Sequence, residues 1–289
     1  MTIWLIANPK AGCGDRGESF WRSYLETSGL TNLTPCDLEN DSWIERIQPG
    51  DWLLAAGGDG TVSRAAEICV SKEAVLGVLP SGTANDFARN LGLPPDPQAL
   101  CDLIASGSQQ SVDVGWVNEQ LFLNVSHIGV GTWPVRGATS EVKQRWGQLG
   151  YARVLVSRLW AYRGFPATIR CDGQMAQGRW LSIAIASGAF YGGGNPIPRA
   201  AANDGQLDVV AVRPRSFVHL FLVYTLVRIF GREARKNATI VHFKGGHCEV
   251  ATRRPKTVTA DGEIVSSTPL KARCEAGRLQ VLCESVVST

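Results

Sequence analysis

At 289 residues, with 44% hydrophobic and 19% charged side chains, the chain is too long for one small domain and suits two soluble globular domains of about 100–200 residues each. The net charge is only +3 but uneven: residues 213–256 hold ten Lys/Arg against two Glu, a local +8 that leaves −5 elsewhere. Such a basic face points to an anionic surface partner, lipid headgroups or nucleic acid. The longest apolar run, 217–230, is too short to cross a bilayer and contains His219 and Arg228. The opening MTIWLIANP lacks the charged region of a signal peptide. Eight cysteines without a C-x-x-C pair or regular spacing read as reduced, mostly buried thiols of a cytoplasmic protein.

The chain begins with an apolar strand from Ile3 to Ala7 and the loop Asn8-Pro9-Lys10-Ala11-Gly12-Cys13-Gly14, then a helical pattern over 18–28. Asn8 and Lys10 offer a donor and a positive charge to a phosphate, although the Walker pattern GxxxxGK[ST] is absent. Residues 42–47 read as helical. A buried run over 51–56 ends in Gly57-Gly58-Asp59-Gly60-Thr61, with a helical pattern from Val62 to Cys69 behind it. Glycines let the backbone approach a ligand, and the N–H groups that start a helix point at it, so a phosphate is the natural guest. Asp59 beside an anion makes sense only with a cation between them. The next buried strand, 75–80, leads into Ser81-Gly82-Thr83-Ala84-Asn85-Asp86 and a helix, with Asn85 or Asp86 also suited to capping it. Three such loops at strand ends mark the crevice where open α/β sheets place ligands. After Val112 the alternation gives way to short β-type runs at 120–125, 167–171, 180–187, 207–212 and 257–260, interrupted by helical patterns at 142–162 and 217–236.

NPKAG (8–12), GGDGT (57–61) and PSGTANDFARNLG (80–92) resemble the catalytic domain of the diacylglycerol kinase family, which includes soluble bacterial lipid kinases and sphingosine kinases. GGDGT is shared with NAD kinases and, as GGDGS, with phosphofructokinases, whereas GTANDFARNLG is far more specific. SVDVGWVNEQLFLNVSHIGVG (111–131), RWGQLGYARVLVSRLWAY (145–162), GAFYGGGNPIPRAAANDGQLDVVAV (188–212) and DGE (261–263) extend the resemblance over nearly the whole chain. It implies an α/β-plus-β fold. The N-terminal part, 1–112, would be an α/β nucleotide-binding domain like that of phosphofructokinases and NAD kinases. The C-terminal part, 113–289, would be a β-sandwich with added helices that carries the lipid substrate, and the cleft between them the active site. The implied activity is transfer of the γ-phosphoryl group of ATP, with Mg²⁺, to the hydroxyl of diacylglycerol or a related amphiphile such as a sphingoid base.

By the same resemblance, Asp59, Asp86 and Asp113 form an Asp–water–Mg²⁺ network. Gly57, Gly58, Gly60, Thr61, Ser81, Gly82, Thr83 and Asn85, with Asn8 and Lys10, hold the nucleotide. Glu263 or Asp261 takes the proton from the lipid hydroxyl, although DGE alone also reads as a hairpin turn. A structural metal of some relatives maps onto Asp204 and the Gln206 carbonyl. Arg199 replaces the family's acid after Pro198, and Ala201 and Ala202 bring no side-chain oxygen, so a tight second metal site is not expected here. Ser63-Arg64 stands where the family often has Asn-Glu, putting a cation in place of a carboxylate.

Arg228, Arg232, Arg235 and Lys236 read either as helix-dipole partners or as a basic rim that meets an anionic membrane peripherally at its inner face. Trp133, Trp146, Trp160 and Trp180 read as core or as an acyl-chain lining. The expected partners are a lipid substrate and an anionic membrane surface, with no nucleic acid; a homodimer is allowed. Two alternatives stay open, an NAD-kinase-like small-molecule kinase and a non-catalytic lipid- or nucleotide-binding module. The retained Asp59, Asp86, Asp113 and Glu263 favour the kinase.

Overall fold

The computed structural model describes residues 1–8, 16–36, 40–132, 163–188, 190–191, 195–196, 203–216 and 239–284. Lys10, residues 197–202 and the helical patterns at 142–162 and 217–236 lie outside them, as do Trp133, Trp146 and Trp160.

The continuous apolar runs become the largely buried parallel strands β1 (Ile3–Ala7), β3 (Trp52–Gly57) and β4 (Val75–Pro80), with the short edge strand β2 (Leu33–Pro35) outside them, in the order β2-β1-β3-β4. Helix α1 (Glu18–Thr27) turns Trp21 and Leu25, one turn apart, into the core. Helix α2 (Asp59–Lys72) buries Val62, Ala65, Ala66, Ile68, Cys69 and Val70. The short α3 (Asp86–Asn90) follows β4, and the helical pattern at 42–47 is a 3₁₀ turn, Asp41–Arg46, that ends before the extended Ile47. Helix α4 (Pro97–Ser106) was not foreseen, yet its ends are conventional. The Asp96 carboxylate accepts from Ala99 N at 2.9 Å, Pro97 opens the helix, and Gly107 closes it at φ +71°.

Strands β5 (Gln109–Val117) and β6 (Gln120–Phe122) lead into an antiparallel half. It comprises β7 (Val125–Gly129), β8 (Phe165–Cys171), β9 (Gln174–Trp180), β10 (Ser182–Ala186), a small pair β11 (Phe190–Tyr191) and β12 (Asn195–Pro196), and β13 (Leu207–Val212). Then come β14 (Ile240–Gly245), β15 (His247–Thr252), β16 (Thr257–Ala260), β17 (Glu263–Ser267) and β18 (Leu270–Leu282). One sheet, β14-β13-β10-β7-β16-β17, is antiparallel throughout and packs on the β18-β15-β8-β9 part of the other. Alternate residues meet between the layers: Leu207, Val209 and Ala211 from β13 face Ile169 and Cys171 of β8 within one core. Trp180 belongs to this core, fully buried, with its Nε1 donating to Ala167 O at 3.1 Å.

The two halves share a strand. β18 runs parallel to β4 at Gln280–Val281 and antiparallel to both β5 and β15. Its end places Leu279, Val281 and Leu282 in the cores under β1–β4, while its start places Leu270 and Ala272 in the sandwich core. The last strand of the chain is thus part of the first sheet.

The cysteines differ from expectation in one respect. Cys171 and Cys248, directly opposite each other on β8 and β15 with Cα atoms 4.2 Å apart, are joined as a disulfide rather than reduced. They lie 77 residues apart in sequence, so spacing carries no sign of the pair. Cys69, Cys101 and Cys283 are free and buried, as expected.

His127 lies on β7, an interior strand, and burial pushes its imidazole down to about 4. The folded state therefore binds fewer protons than the unfolded chain below the free-histidine value of 6.5. This contribution is present above that pH and is lost as pH falls toward 4, amounting to roughly 3 kcal/mol across the window. Replacing His127→Gln should flatten that part of the acid sensitivity, read as urea midpoints compared at about pH 7 and about pH 5.

Candidate active site

Three parallel strands end side by side, and backbone hydrogen bonds tie their loops together. Asn8 N donates to Ala56 O and Ser81 N to Gly57 O, both at 2.9 Å, while Asn8 Nδ2 reaches Thr61 Oγ1 at 3.2 Å. The glycines are needed for contact here, not for unusual φ. A Cβ on Gly82 would lie 2.5 Å from Gly58 Cα, and one on Gly57 would lie 2.5 Å from Thr61 Cβ. The GGDGT and SGTAND loops thus touch backbone to backbone.

Of the residues expected to hold a nucleotide, Ser81 and Asn85 join Asn8 and Thr61 in bracing the loops themselves. The buried Ser81 hydroxyl accepts from Trp21 Nε1 at 2.7 Å and donates to Leu79 O at 3.2 Å. Asn85, at φ +49°, accepts from Gly82 N at 2.9 Å and donates to Gly82 O at 2.8 Å. It occupies the N-cap position of α3 but braces the turn instead of capping it. Gly58, Gly60 and Thr83 line the open side, Gly60 and Thr83 being exposed. Lys10 lies outside the described residues.

Asp59 opens α2, and its carboxylate accepts from Phe87 N at 3.3 Å in the first turn of α3. Asp86, 5% exposed, lies close enough to repel it and pairs with Arg89 at 2.9 Å. Burial, followed by the charge of Asp86, raises the Asp59 carboxyl above the usual range. The expected third carboxylate is not with them. Asp113 lies opposite the β18 bulge between Glu275 and Leu279, where its oxygens accept from Gly277 N at 2.8 Å and Gly205 N at 2.6 Å. Among the described residues no three His, Cys, Asp or Glu side chains converge to hold a metal ion. Asp113 instead fastens the 203–206 loop to β18. Asp204 pairs with Lys244 and accepts from Gln206 N at 3.1 Å.

The DGE stretch is both a turn and a site element. Asp261 and Gly262, at φ +44° and +91°, form the two-residue turn between β16 and β17. Asp261 accepts four hydrogen bonds: from Leu123 N at 2.7 Å, from Asn124 N and Val125 N at 3.0 Å, and from Ser63 Oγ at 2.9 Å. Desolvation raises this carboxyl above its ordinary value, and the four donors offset only part of the rise. The exposed Glu263 follows on the hairpin, with Oε1 only 3.1 Å from where a Cβ on Gly60 would stand. Its carboxylate thus lies over the glycine loop. A second link joins the halves beside it, Asn90 Nδ2 donating to Asn124 Oδ1 at 2.9 Å.

Ser63 is the residue that sequence reasoning passed over. It stands one turn beyond Gly60 on the same face of α2, and that spacing was the available signal. Its neighbour Arg64 does not bring a bare cation to the nucleotide loop: it is exposed and paired with Asp41 of the 3₁₀ turn. Asp261→Asn replaces an acceptor by an amide N–H₂ among four donors, and a loss of roughly 3 kcal/mol is expected. Ser63→Ala removes one donor and should cost about 1 kcal/mol. Denaturant unfolding of the two variants checks the order; equal and negligible losses would show that the clamp carries no stability.

Comparison with known proteins agrees with this geometry. Residues 2–117 match the model of the diacylglycerol kinase catalytic domain, and residues 127–283 match that of the YegS C-terminal NAD kinase beta sandwich-like domain. The diacylglycerol kinase of Bacillus subtilis (strain 168) is 28% identical over 258 residues, covering 87% of this chain and 84% of that protein. The diacylglycerol kinase of Mycobacterium tuberculosis (strain H37Rv) is 30% identical over 254 residues, covering 80% and 76%. A solved structure from Bacillus anthracis str. Sterne, described as a candidate diacylglycerol kinase, superimposes with a TM-score of 0.77 at 26% identity, covering 99% of this chain and 96% of its own. Among the described residues no helix is long and apolar enough to cross a membrane. With its two domain matches and these relatives, the chain belongs to the diacylglycerol kinase family of lipid kinases, joining that catalytic domain to a YegS-type β-sandwich.

Proposed function

We propose that this protein transfers the γ-phosphoryl group of ATP to the hydroxyl of diacylglycerol or a chemically similar amphiphile, with Glu263 as the general base. The observation that carries the reading is the placement of Glu263 over Gly60 by a hairpin whose other carboxylate is fully engaged. Asp261 has four donors on its two oxygens and serves to position. Glu263, two residues on and exposed, has the freedom to accept the proton of an incoming hydroxyl.

The loop N–H groups of Gly58 and Gly60 and the start of α2 suit the phosphates, with Asn8 and Thr61 fixing the loop's shape. Asp59 fits Mg²⁺, with Asp86 beside it already paired to Arg89: desolvation and the charge of Asp86 leave Asp59 short of positive charge, and Mg²⁺ takes few carboxylates alongside phosphates and water. Bound there, Mg²⁺ would neutralise charge on the transferring phosphoryl group. Glu263 holds the acceptor oxygen in line and removes its proton as the oxygen–phosphorus bond forms and the bond from the γ-phosphorus to the bridging oxygen breaks, releasing ADP. Arg253 and Arg254, exposed at the turn after β15, suit a peripheral encounter with an anionic inner-membrane surface from the cytoplasm.

Transfer from γ-labelled ATP to diacylglycerol, a sphingoid base and NAD in mixed micelles with Mg²⁺ tests the reading. Labelled lipid is expected, with Glu263→Gln lowering kcat by about 10²–10⁴-fold while ATP still binds. Asp59→Asn should abolish the Mg²⁺-dependent rate without lowering the Tm of the metal-free protein, since a half-buried, repelled carboxylate is removed. Labelled NAD would favour the small-molecule kinase. Bound ATP with no labelled acceptor, or a Glu263→Gln variant of full activity, would overturn the proposed role.

A further inference from the structure

The resemblance to the family places a structural divalent cation at the loop before β13, with Asp204 and the Gln206 carbonyl as ligands. The groups around Asp204 do not suit one. Its carboxylate accepts from Gln206 N and pairs with Lys244 Nζ on the neighbouring strand β14. The same ammonium lies 3.9 Å from Asp208 Oδ2. The antiparallel register puts Lys244 directly opposite Asp208, so strand pairing fixes where this cation stands. Asp208 is 2% exposed, and its other oxygen meets His242 Nε2 at 2.6 Å.

Two further groups of the 203–206 segment are engaged with Asp113. Asn203 Oδ1 accepts from Asp113 N at 3.0 Å, and Gly205 N donates to Asp113 Oδ2. A divalent ion stabilises such a loop by gathering several oxygens around one positive charge. Here an ammonium already does so, and Asp113, the β5 carboxylate that meets the loop, accepts on both oxygens from backbone N–H groups. An incoming ion would have to displace Lys244 from Asp204 and from beside a buried carboxylate, which is costly.

We propose that Lys244 is a built-in replacement for the structural ion: its ammonium bridges Asp204 and Asp208 and holds the 203–206 loop against Asp113 and the β18 bulge. The sandwich then folds independently of divalent cations, and the cation requirement of the protein is confined to the Asp59–Asp86 pair. This assignment does not depend on what the acceptor of the kinase is.

Thermal unfolding in an Asp59→Asn background, which removes the response of the nucleotide loop, tests it. That protein should melt at the same temperature in chelator as in millimolar Mg²⁺ or Ca²⁺. Adding Lys244→Met, which keeps the apolar stem, should lower the midpoint in chelator by on the order of 5 °C, and Ca²⁺ should restore part of the loss. Lys244→Arg should melt like its parent. The proposal is overturned by a parent protein whose midpoint climbs with Mg²⁺ or Ca²⁺ until Asp204→Asn abolishes the response. It is equally overturned by a Lys244→Met protein that melts like its parent in chelator or ignores Ca²⁺. Should Lys244→Met fail to fold, the cation response of the parent still decides.

Discussion

The Asp261 carboxylate is the constraint on which the active-site arrangement rests. A half-buried carboxylate drawn away from water needs its lone pairs matched, and four donors from two parts of the chain match this one. Three of them are consecutive backbone N–H groups from the link after β6 into the first residue of β7, and the fourth is the Ser63 hydroxyl on α2. The bond to Ser63 brings the β16–β17 hairpin onto the helix that begins at the glycine loop. Glu263 then stands over Gly60 as a consequence of geometry two residues away. The exposed Glu263 and the glycine loop, from different halves of the chain, meet because Asp261 is held by four donors.

The larger frame is the shared strand. β18 completes the parallel sheet beside β4 and at the same time forms one layer of the sandwich. Relative motion of the two halves would have to shear a hydrogen-bonded sheet, so the cleft is built on a rigid support, with the Asn90–Asn124 and Ser63–Asp261 links at its mouth. Where β18 bulges, Asp113 fills the gap and reaches the loop held by Lys244. An acidic residue that resemblance assigns to the metal network therefore serves the junction in this structure.

Much of this was legible in the sequence. Ile3–Ala7, Val75–Pro80, Leu207–Val212 and Thr257–Ala260 are strands at the expected positions because each is an apolar run closed by turn residues. The Asp-Gly turns at 172–173 and 261–262 carry their signature, whereas Asn118-Glu119 makes the same kind of turn without a glycine. β18 was not visible, since its bulge breaks the alternation and its partners lie far away in sequence. At the site, the glycines, Asp59, Asp86 and Glu263 were readable as residue types. Their division of labour was not: only the hydrogen bonds distinguish Asp261 from Glu263, and only strand register places Lys244 against Asp208.

Hydrogen exchange of the protein with and without Mg²⁺–ATP tests the central claim most directly, that the DGE hairpin and the two glycine loops form one site. The account predicts joint protection of amides in 57–61, 81–87 and 260–264 on nucleotide binding, with the outer strands β8 and β9 unchanged. Protection of the loops with no change in the hairpin, or protection centred elsewhere, would contradict it.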